Sequence, residues 1–403
     1  MSISWLDDQN HTPGDMNILM VIERYAPIWG GAENQLRQLA VRLMSRGCSI
    51  SIITRRWDAE MARFEQVDGI DVHRVGRPGE GAAARLFFIA GLCRFALKKR
   101  NDIDIFHAHG AVKMGAIIAV LANLLGKKSV AKIATAGHVP VLQRRFFGRA
   151  VLYLFKRVDA VIAMTDQIIS EMAAIGLEKK RIVQIANGID CRCFAPLPPA
   201  QKSLMRHQHG CTEDELIFLF SGRLVRRKGI DTLIEAWSRW PSSVKPAILL
   251  IIGSGKGQDD SVEEVVRARV KNEGIRQVRF FGETDEPHRI LPMADVFVFP
   301  SRLEGFPNAL LEAMATALPV VGAAIGGVVD VVRDGAEGLL FEPDDASQLL
   351  AKMMQLAEDP ALRARLGKNG RQAVCTRHSF ALVTNEYVDL YERLLQPIGN
   401  NQE

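Results

Sequence analysis

The residues best suited to chemistry lie between Pro300 and Glu312, in the stretch P-S-R-L-E-G-F-P-N-A-L-L-E. This stretch follows an apolar run, Ala294 to Phe299, and leads into a small-residue helical segment, a pattern that predicts a strand-to-helix junction. Ligands of open α/β sheets collect at such junctions. We therefore expect the two carboxylates of this stretch, Glu304 and Glu312, to face one ligand.

The spacing of Glu304 and Glu312 argues against a hydrolase. In one continuous helix, two residues eight positions apart would be separated by about 12 Å along the axis. A retaining glycosidase needs its two carboxyl groups roughly 5.5 Å apart. Gly305 and Pro307 favour a turn carrying Glu304, with Pro307 or Asn308 opening a helix that carries Glu312. The alternative is structural: Glu312 is an ordinary acid near a helix N-terminus and Glu304 is solvated.

A second charged loop follows the predicted strand Leu216 to Phe220 and reads S-G-R-L-V-R-R-K-G. Arg223 and Lys228 in this loop, with its free backbone amides, could bind a diphosphate. Gly326 and Gly327 precede another helix and could add amides to the same phosphate. The alternative is a solvated basic loop.

In the first half of the chain, glycines and histidines also lie where predicted strands end. Gly30 and Gly31 precede a predicted helix, where bare amides could approach an anion, although a tight turn would also explain them. His107 and His109 end a predicted strand, Ile103 to Ala108, and alternation puts them on one side. His109 lies nearer the carboxyl edge, so we prefer it as a ligand contact. A structural histidine is the alternative.

Composition excludes several classes of protein. The chain has 403 residues, 48% of them hydrophobic and 24% charged, which is typical of a soluble globular protein with two domains. A net charge of +5 is too mild for a dedicated nucleic-acid binder.

Asp102 and Asp104 have D-x-D spacing but open a strand, which argues against a metal site. The loop G-S-G-K-G lacks the third glycine of a dinucleotide fingerprint.

The cysteines and the N-terminus predict a cytoplasmic protein. The six cysteines are scattered through a long chain and form no C-x-x-C pair, so we expect reduced thiols. The first fifteen residues resemble no signal peptide, and the longest apolar helical stretch, Gly115 to Leu125, is too short to span a bilayer.

Two segments of the first half mix basic and aromatic residues, Arg85 to Arg100 and Val141 to Arg157. Amphipathic helices of this composition bind membrane surfaces. They would also serve as ordinary domain helices with one buried and one solvated face.

Strand, helix, strand recurs along both halves of the chain, which predicts α/β architecture with two doubly wound parallel sheets. The Pro-rich segment Ala195 to Ala200 is the candidate linker. The predicted organisation is a polar tail at 1–15, a Rossmann-like lobe at 16–196, a second Rossmann-like lobe at 197–378 facing the first across a cleft, a helix at 379–396 that returns to the first lobe, and a tail at 397–403.

Taken together, the motifs resemble the family 4 retaining glycosyltransferases of GT-B fold. The resemblance rests on G-G-A-E, H-A-H-G, N-G-I-D, S-G-R-L-V-R-R-K-G, the long stretch from Ala294 to Ala315, and I-G-G-V-V-D. It covers the chain from about Asn17 to Leu395, and the E-x7-E stretch with its flanks is its specific part.

The resemblance implies roles for individual residues. Arg223 and Lys228 would hold the nucleotide diphosphate, Glu304 would contact the transferred sugar and Glu312 the nucleotide ribose. His109 would contact a sugar hydroxyl near the reacting carbon, and Gly31 would approach the phosphate or the acceptor. The other donor-binding positions would be Gly222, Gly305, Phe306, Asn308 and Ala309.

Two departures from the family pattern stand out. T-A-G-H at Thr135 to His138 replaces the commoner T-x-H-G, which leaves the role of His138 open. Asp330 stands where glutamate is more usual, and this change in the donor lobe could alter donor contacts.

The function that follows is sugar transfer from a nucleoside diphosphate sugar to a hydroxyl acceptor, without a metal ion or other cofactor and without nucleic acid. We expect it to serve surface polysaccharide, glycolipid or glycoconjugate synthesis. A lipid-linked acceptor and peripheral contact with the inner membrane surface are expected from the basic segments. Two alternatives remain: a non-catalytic sugar-nucleotide-binding subunit, and a GT-B epimerase or phosphorylase.

Overall fold

A computed structural model describes residues 16–241 and 244–396. The tails predicted at 1–15 and 397–403 lie outside the described residues. The described chain forms two compact units, one of residues 16–188 with 380–396 and the other of residues 189–379. Each unit is built on its own sheet.

The first unit contains an eight-stranded sheet in the order β3-β4-β2-β1-β5-β6-β7-β8, parallel except for the antiparallel pair of β3 and β4. Its strands are β1 (Asn17–Val21), β2 (Ser49–Arg55), β3 (Phe64–Val67), β4 (Ile70–Val75), β5 (Ile105–Gly110), β6 (Lys128–Ile133), β7 (Ala160–Ala163) and β8 (Ile182–Gln184). The apolar runs of the central strands are buried on both faces of the sheet, as parallel strands between helical layers require.

The second unit contains a six-stranded parallel sheet in the order β11-β10-β9-β12-β13-β14. Its strands are β9 (Leu216–Ser221), β10 (Ala247–Ile252), β11 (Val278–Gly282), β12 (Val296–Phe299), β13 (Val320–Ala323) and β14 (Leu339–Phe341). The strand order changes direction beside β9, so β10 and β12 are its two neighbours. At such a switch point the loops after adjacent strands leave a crevice for a ligand.

Helices connect the strands of both sheets. The first unit has α1 (Gly31–Ser45), α2 (Gly81–Lys98), α3 (Val112–Leu125), α4 (His138–Gln143), α5 (Gly148–Phe155) and α6 (Asp166–Ala174). The second unit has α7 (Pro199–Gln208), α8 (Ile230–Ser238), α9 (Glu263–Asn272), α10 (Pro287–Ile290), α11 (Asn308–Ala315), α12 (Gly326–Val329), α13 (Ala346–Glu358) and α14 (Pro360–Arg377). The last helix, α15 (Phe380–Leu395), belongs to the first unit and contacts α1, which confirms the predicted return of the chain.

The two-sheet α/β architecture predicted from the sequence is confirmed. Two short strands were not predicted: β3, whose four residues alternate between exposed and half-buried, and the three-residue β14. The predicted strand Ile103 to Ala108 is shifted, because Asp104 pairs with Asn17 and the ladder of β5 begins at Ile105. This shift places both His107 and His109 within the strand.

The chain passes between the units after Gly188 rather than in the Pro-rich segment Ala195 to Ala200. That segment belongs to the second unit and leads into α7, where Pro199 is the first helical residue. Proline is well suited to this position, because it has no N–H to leave unpaired and its φ is already helical.

The expectation of reduced thiols for all six cysteines is wrong for one pair. Cys191 and Cys375 form a disulfide across a sequence separation of 184 residues, with their Cα atoms 6.0 Å apart. The tertiary fold brings together two cysteines whose spacing in the sequence carries no signal. The other four cysteines, Cys48, Cys93, Cys193 and Cys211, are outside this bond.

Among the described residues, no helix combines the length and the apolar character that crossing a bilayer requires.

Candidate active site

The loop after β9 meets the loop after β12 at Gly229. This residue has a φ of +65°, and a Cβ there would collide with the carbonyl oxygen of Pro300. Only glycine allows this approach. The preceding residue, Lys228, ends a short 3₁₀ turn and is thereby brought beside Glu304.

Lys228 and Glu304 form a nearly buried ion pair. The distance between Nζ of Lys228 and Oε1 of Glu304 is 2.5 Å, and the side chains are 14% and 7% exposed. Nζ also lies 5.4 Å from the centre of the Phe299 ring. Burial lowers the pKa of Lys228, and the charge of Glu304 opposes that change. An ammonium group has three N–H donors, so this pair leaves Lys228 able to bind a further anion.

Arg302 fixes these two loops to each other. Its guanidinium donates two parallel hydrogen bonds of 2.8 Å to the carboxylate of Asp231 and another to Asp344. It also donates to the carbonyl oxygen of Arg226, and its own backbone N–H donates to Arg227. Bidentate pairing of this kind sets geometry as well as charge.

Arg223 lies in the same loop but on its exposed side. Its NH1 donates to Oε1 of Gln258 at 2.9 Å, in the loop after β10. The two loops approach so closely that a Cβ at Gly253 would collide with the carbonyl oxygen of Gly222. The charge of Arg223 acts on Lys228 and contributes to its lowered pKa. The predicted diphosphate cations are therefore close enough to interact.

Helix α11 begins at Asn308, directly after Pro307, which confirms the predicted helix start. Glu312 falls in its second turn, and Ala309 is half-buried in its first. Burial raises the pKa of Glu312 to about 7. Within residues 16–241 and 244–396, no hydrogen-bond or ion-pair partner is found for this carboxylate.

The turn between Glu304 and α11 packs on the start of α12. A Cβ at Gly327 would lie 3.0 Å from the carbonyl oxygen of Gly305. Phe306 in the same turn is buried, with its ring 5.6 Å from that of His378. Asp330, the departure from the family pattern, is half-buried just beyond α12. The structure thus groups most of the residues predicted to bind the donor at the carboxyl ends of β9, β12 and β13.

The predicted site residues of the first unit lie at the carboxyl ends of β1, β5 and β6. Gly31 is the first residue of α1. His109 is almost fully buried in β5, and burial lowers its pKa well below the usual value. His138 begins α4 directly after Gly137, which has a φ of +88°.

Sequence reasoning missed two residues of the candidate site. Arg302 lies within the stretch Pro300 to Glu312, but its carboxylate partner Asp231 is 71 positions earlier. Lys132 is buried beside His109 in the neighbouring strand. A lysine in the apolar run S-V-A-K-I-A was the one signal that the sequence offered for it. Among the residues that the structure describes, no group of three or more potential ligands is arranged to hold a metal ion.

Two family models match the chain and together cover most of it. Residues 29–192 match the model described as Glycosyltransferase Family 4, and residues 201–373 match Glycosyl transferases group 1. The boundary between the two matches falls near the division of the chain into units.

Relatives of known function cover most of the chain at low identity. One is N-acetyl-alpha-D-glucosaminyl L-malate synthase of Bacillus anthracis, 26% identical over 75% of this chain and 78% of the relative. Another is the capsular polysaccharide biosynthesis glycosyltransferase CapM of Staphylococcus aureus, 25% identical over 71% of this chain and 76% of the relative. Among solved structures, Anabaena Alr3699/HepE in complex with UDP superposes with a TM-score of 0.77 at 21% identity, covering 94% of this chain and all of that chain. That structure shows that the fold is GT-B.

Proposed function

Since the chain belongs to the family 4 glycosyltransferases, whose members retain the anomeric configuration, we propose that it transfers a hexose or related sugar from a nucleoside diphosphate sugar to a hydroxyl group. The observation that carries this proposal is the nearly buried pair of Lys228 and Glu304 at the switch point of the second sheet.

The second unit binds the donor in this proposal. Lys228 and Arg223 bind the diphosphate, with the amides around Gly222 and Gly305 close by. Glu304 orients Lys228 and accepts a hydrogen bond from the transferred sugar. Glu312 accepts from the ribose, next to Phe306, Asn308 and Ala309. In the first unit, His109 contacts a sugar hydroxyl, and Gly31 approaches the phosphate or the acceptor.

The transfer step is a same-face substitution at the anomeric carbon. The acceptor oxygen forms a bond to this carbon as the bond to the phosphate oxygen breaks, and the electron pair of that bond stays on the diphosphate. The proton of the acceptor hydroxyl passes to the leaving phosphate oxygen. Lys228 and Arg223 stabilise the charge that develops there, which is where preorganised cations lower a barrier most. We propose that these two cations serve in place of a metal ion.

The test replaces each cation singly. Arg223→Ala and Lys228→Ala are expected to lower turnover with a nucleoside diphosphate sugar by roughly 100-fold, as loss of one preorganised charge does. Arg226→Ala is the matched control, because Arg226 is an exposed cation of the same loop. Full activity and donor affinity in both variants would overturn the site assignment. An equal loss of turnover in the control would show that only the overall positive charge of the loop matters. Activity should persist in EDTA.

A binding screen can show which nucleotide the donor carries. A thermal-shift series with UDP, GDP and ADP sugars identifies the base, because a ligand that binds only the folded state raises the melting temperature. The similarity to a capsular polysaccharide enzyme supports a role in surface polysaccharide or glycoconjugate synthesis. Formation of a new sugar product without an acceptor would instead favour an epimerase, and a requirement for phosphate would favour a phosphorylase.

We also propose that this enzyme contacts the cytoplasmic face of a membrane through the basic-aromatic segment, residues 141–157. This segment forms α4, a turn and α5 rather than one helix. Phe146 and Phe147 in the turn are 91% and 74% exposed, with ring centres 4.9 Å apart. Exposed basic residues surround them: Arg144, Arg145, Arg149, Lys156 and Arg157. Exposed aromatic rings among cations match an anionic lipid surface and a lipid-linked acceptor.

Sedimentation with lipid vesicles tests the membrane contact. The wild-type protein is expected to bind vesicles containing phosphatidylglycerol at low salt, to bind phosphatidylcholine vesicles poorly, and to dissociate as salt rises. The double variant Phe146→Ala/Phe147→Ala should lose binding, whereas Leu124→Ala, at a residue 77% exposed in the same unit, should not. Equal binding by both variants would contradict the assignment.

A further inference from the structure

One face of the first sheet changes from apolar to titratable toward the carboxyl ends of its strands. Along β5 the residues on this face are Ile105, His107 and His109, and along β6 they are Val130 and Lys132. His109 and Lys132 are direct partners in the register of the two strands. The histidines and the lysine are all at least nine-tenths buried. Three titratable side chains therefore meet where the sequence would otherwise continue its apolar core.

Lys132 is held by an uncharged partner. Its Nζ donates to Oδ1 of Asn187 at 2.8 Å and lies 5.6 Å from the centre of the Tyr387 ring. Within the described part of the chain, no carboxylate forms an ion pair with it. A buried ammonium without a counter-charge is costly, so burial lowers the pKa of Lys132 to about 7.

The two histidines are stacked beside this lysine. Their ring centres are 4.1 Å apart, and Nδ1 of His107 lies 2.7 Å from the hydroxyl oxygen of Tyr391. Nε2 of each ring is enclosed without a hydrogen-bond partner among the described residues. Burial lowers the pKa of His109, and the charges of His107 and Lys132 lower it further.

The groups around the two histidines come from three elements, and none is a carboxylate. His107 on β5 and Lys132 on β6 lie beside His109 itself, and Tyr387 and Tyr391 on α15 pack against His107. Two residues that contact Lys132, Asn187 and Tyr387, lie in the segments through which the chain passes between the units. Asn187 lies one residue before Gly188, where the chain leaves the first unit, and Tyr387 lies on the helix that begins where the chain returns to it.

We propose that Lys132 is a positioning residue for His109, holding this histidine in its neutral form and joining its strand to both segments through which the chain passes between the units. A neutral imidazole can accept a hydrogen bond from a sugar hydroxyl, whereas an imidazolium can only donate. An imidazolium would also repel the positive charge that develops on the sugar ring in glycosyl transfer. This part of the argument rests on the proposed function of His109; the effect of Lys132 on the protonation of His109 does not.

Nuclear magnetic resonance of histidine-labelled protein tests that effect without substrate. The pKa of His109, assigned by the His109→Asn variant, is followed in wild type, Lys132→Gln and Lys132→Arg. Because the pKa of Lys132 falls only to about 7, its ammonium is charged throughout the pH range in which His109 takes up a proton. The glutamine variant removes the charge but keeps a donor for Asn187, so the pKa of His109 is expected to rise by about one unit. It should stay low in the arginine variant.

The control is Lys128→Gln, at the opposite end of β6, which should leave the pKa of His109 unchanged. An unchanged pKa in Lys132→Gln would overturn the proposal, as would the same rise in Lys132→Arg. Circular dichroism identifies a variant that fails to fold, and Lys132→Met, an apolar residue of similar length, then replaces the glutamine variant in the same titration.

Activity measurements distinguish a failure of this inference from a failure of the proposed function. In Lys132→Gln, the acidic limb of the profile of kcat/KM against pH should move to higher pH, and Lys132→Arg should restore it. If His109→Asn leaves turnover intact, the proposed role of His109 fails while the resonance titration still decides the role of Lys132. If the resonance shifts but the acidic limb of an active enzyme does not, the positioning role is overturned.

Discussion

Nζ of Lys228 lies 2.5 Å from Oε1 of Glu304, and both side chains are largely withdrawn from water. The pair joins the loop after β9 to the loop after β12, with Gly229 and Pro300 in contact beneath it. In the proposed function, this pair holds Lys228 in place to bind a phosphate before a ligand arrives. It also makes each partner depend on the other for its stability.

That dependence predicts a strong coupling between the two side chains. Glu304→Gln and Lys228→Met should each lower the free energy of unfolding of the second unit by about 3 kcal/mol, because each leaves a buried charge unpaired. The double variant should recover most of this loss. Urea unfolding measures the effect, and Trp237 and Trp240, which pack in the second unit, contribute to the fluorescence change that reports it. Simple addition of the two single losses in the double variant would contradict the coupling.

Glu312 predicts a dependence of stability on pH. Its pKa is raised to about 7 in the folded chain, so folding favours its protonated form. The resulting stability is fully present below the unfolded pKa of about 4.5 and is lost as pH rises toward 7. The difference in unfolding free energy between Glu312→Gln and wild type should therefore increase in favour of the variant from pH 5 to pH 8, by on the order of 3 kcal/mol. Urea unfolding at both pH values measures the gain, and Glu60→Gln, at an exposed site, should show none.

Arg302 predicts a distinction between two cations at one position. Lysine cannot reproduce the bidentate hydrogen bonds to Asp231, so Arg302→Lys should lower kcat/KM with the donor by roughly 10-fold. A drop in melting temperature should accompany it, because the loops carrying Lys228 and Glu304 lose their common anchor. Arg289→Lys, in an exposed pair with Glu286, is the control and should behave like wild type. Full activity of Arg302→Lys would show that the anchor does not matter to catalysis.

The disulfide between Cys191 and Cys375 predicts a specific pattern of thiol reactivity. Denatured but unreduced protein should take up alkylating reagent at four of its six cysteines, and reduced protein at all six, as intact mass will show. Because the bond closes a long loop, Cys191→Ser should lower the unfolding free energy by about 2 to 5 kcal/mol under oxidising conditions.

Two controls limit that prediction. Cys193→Ser, at an exposed cysteine outside the bond, should have no such effect. Under reducing conditions Cys191→Ser should lose its disadvantage against wild type. Alkylation of all six cysteines in unreduced protein would rule the bond out.

Particular residues show which features of the fold could be predicted from the sequence. The apolar runs that became β9 and β12, and the Gly-Pro punctuation around Glu304, predicted the strands, the junction and the helix start at Asn308. These features are local, since hydrophobic period and backbone preference act within a few residues. The shifted start of β5 and the missed strands β3 and β14 depend on pairing with distant segments, which local patterns do not specify.

By itself, the sequence determined the fold class and the loops that carry the charged residues, and through its resemblance to a known family it predicted the chemical class of the ligand. It could do so because glycines, prolines and apolar runs prescribe local conformation, and because cations and carboxylates keep their chemistry wherever they lie. Only the tertiary structure decided that Lys228 pairs with Glu304, that Asp231 binds Arg302, that Cys191 joins Cys375, and that Lys132 is buried beside His109. These partners are separated in sequence and meet only when the sheets form. The lowered pKa values of Lys228, Lys132 and His109 follow from burial, which no single segment of the chain can supply.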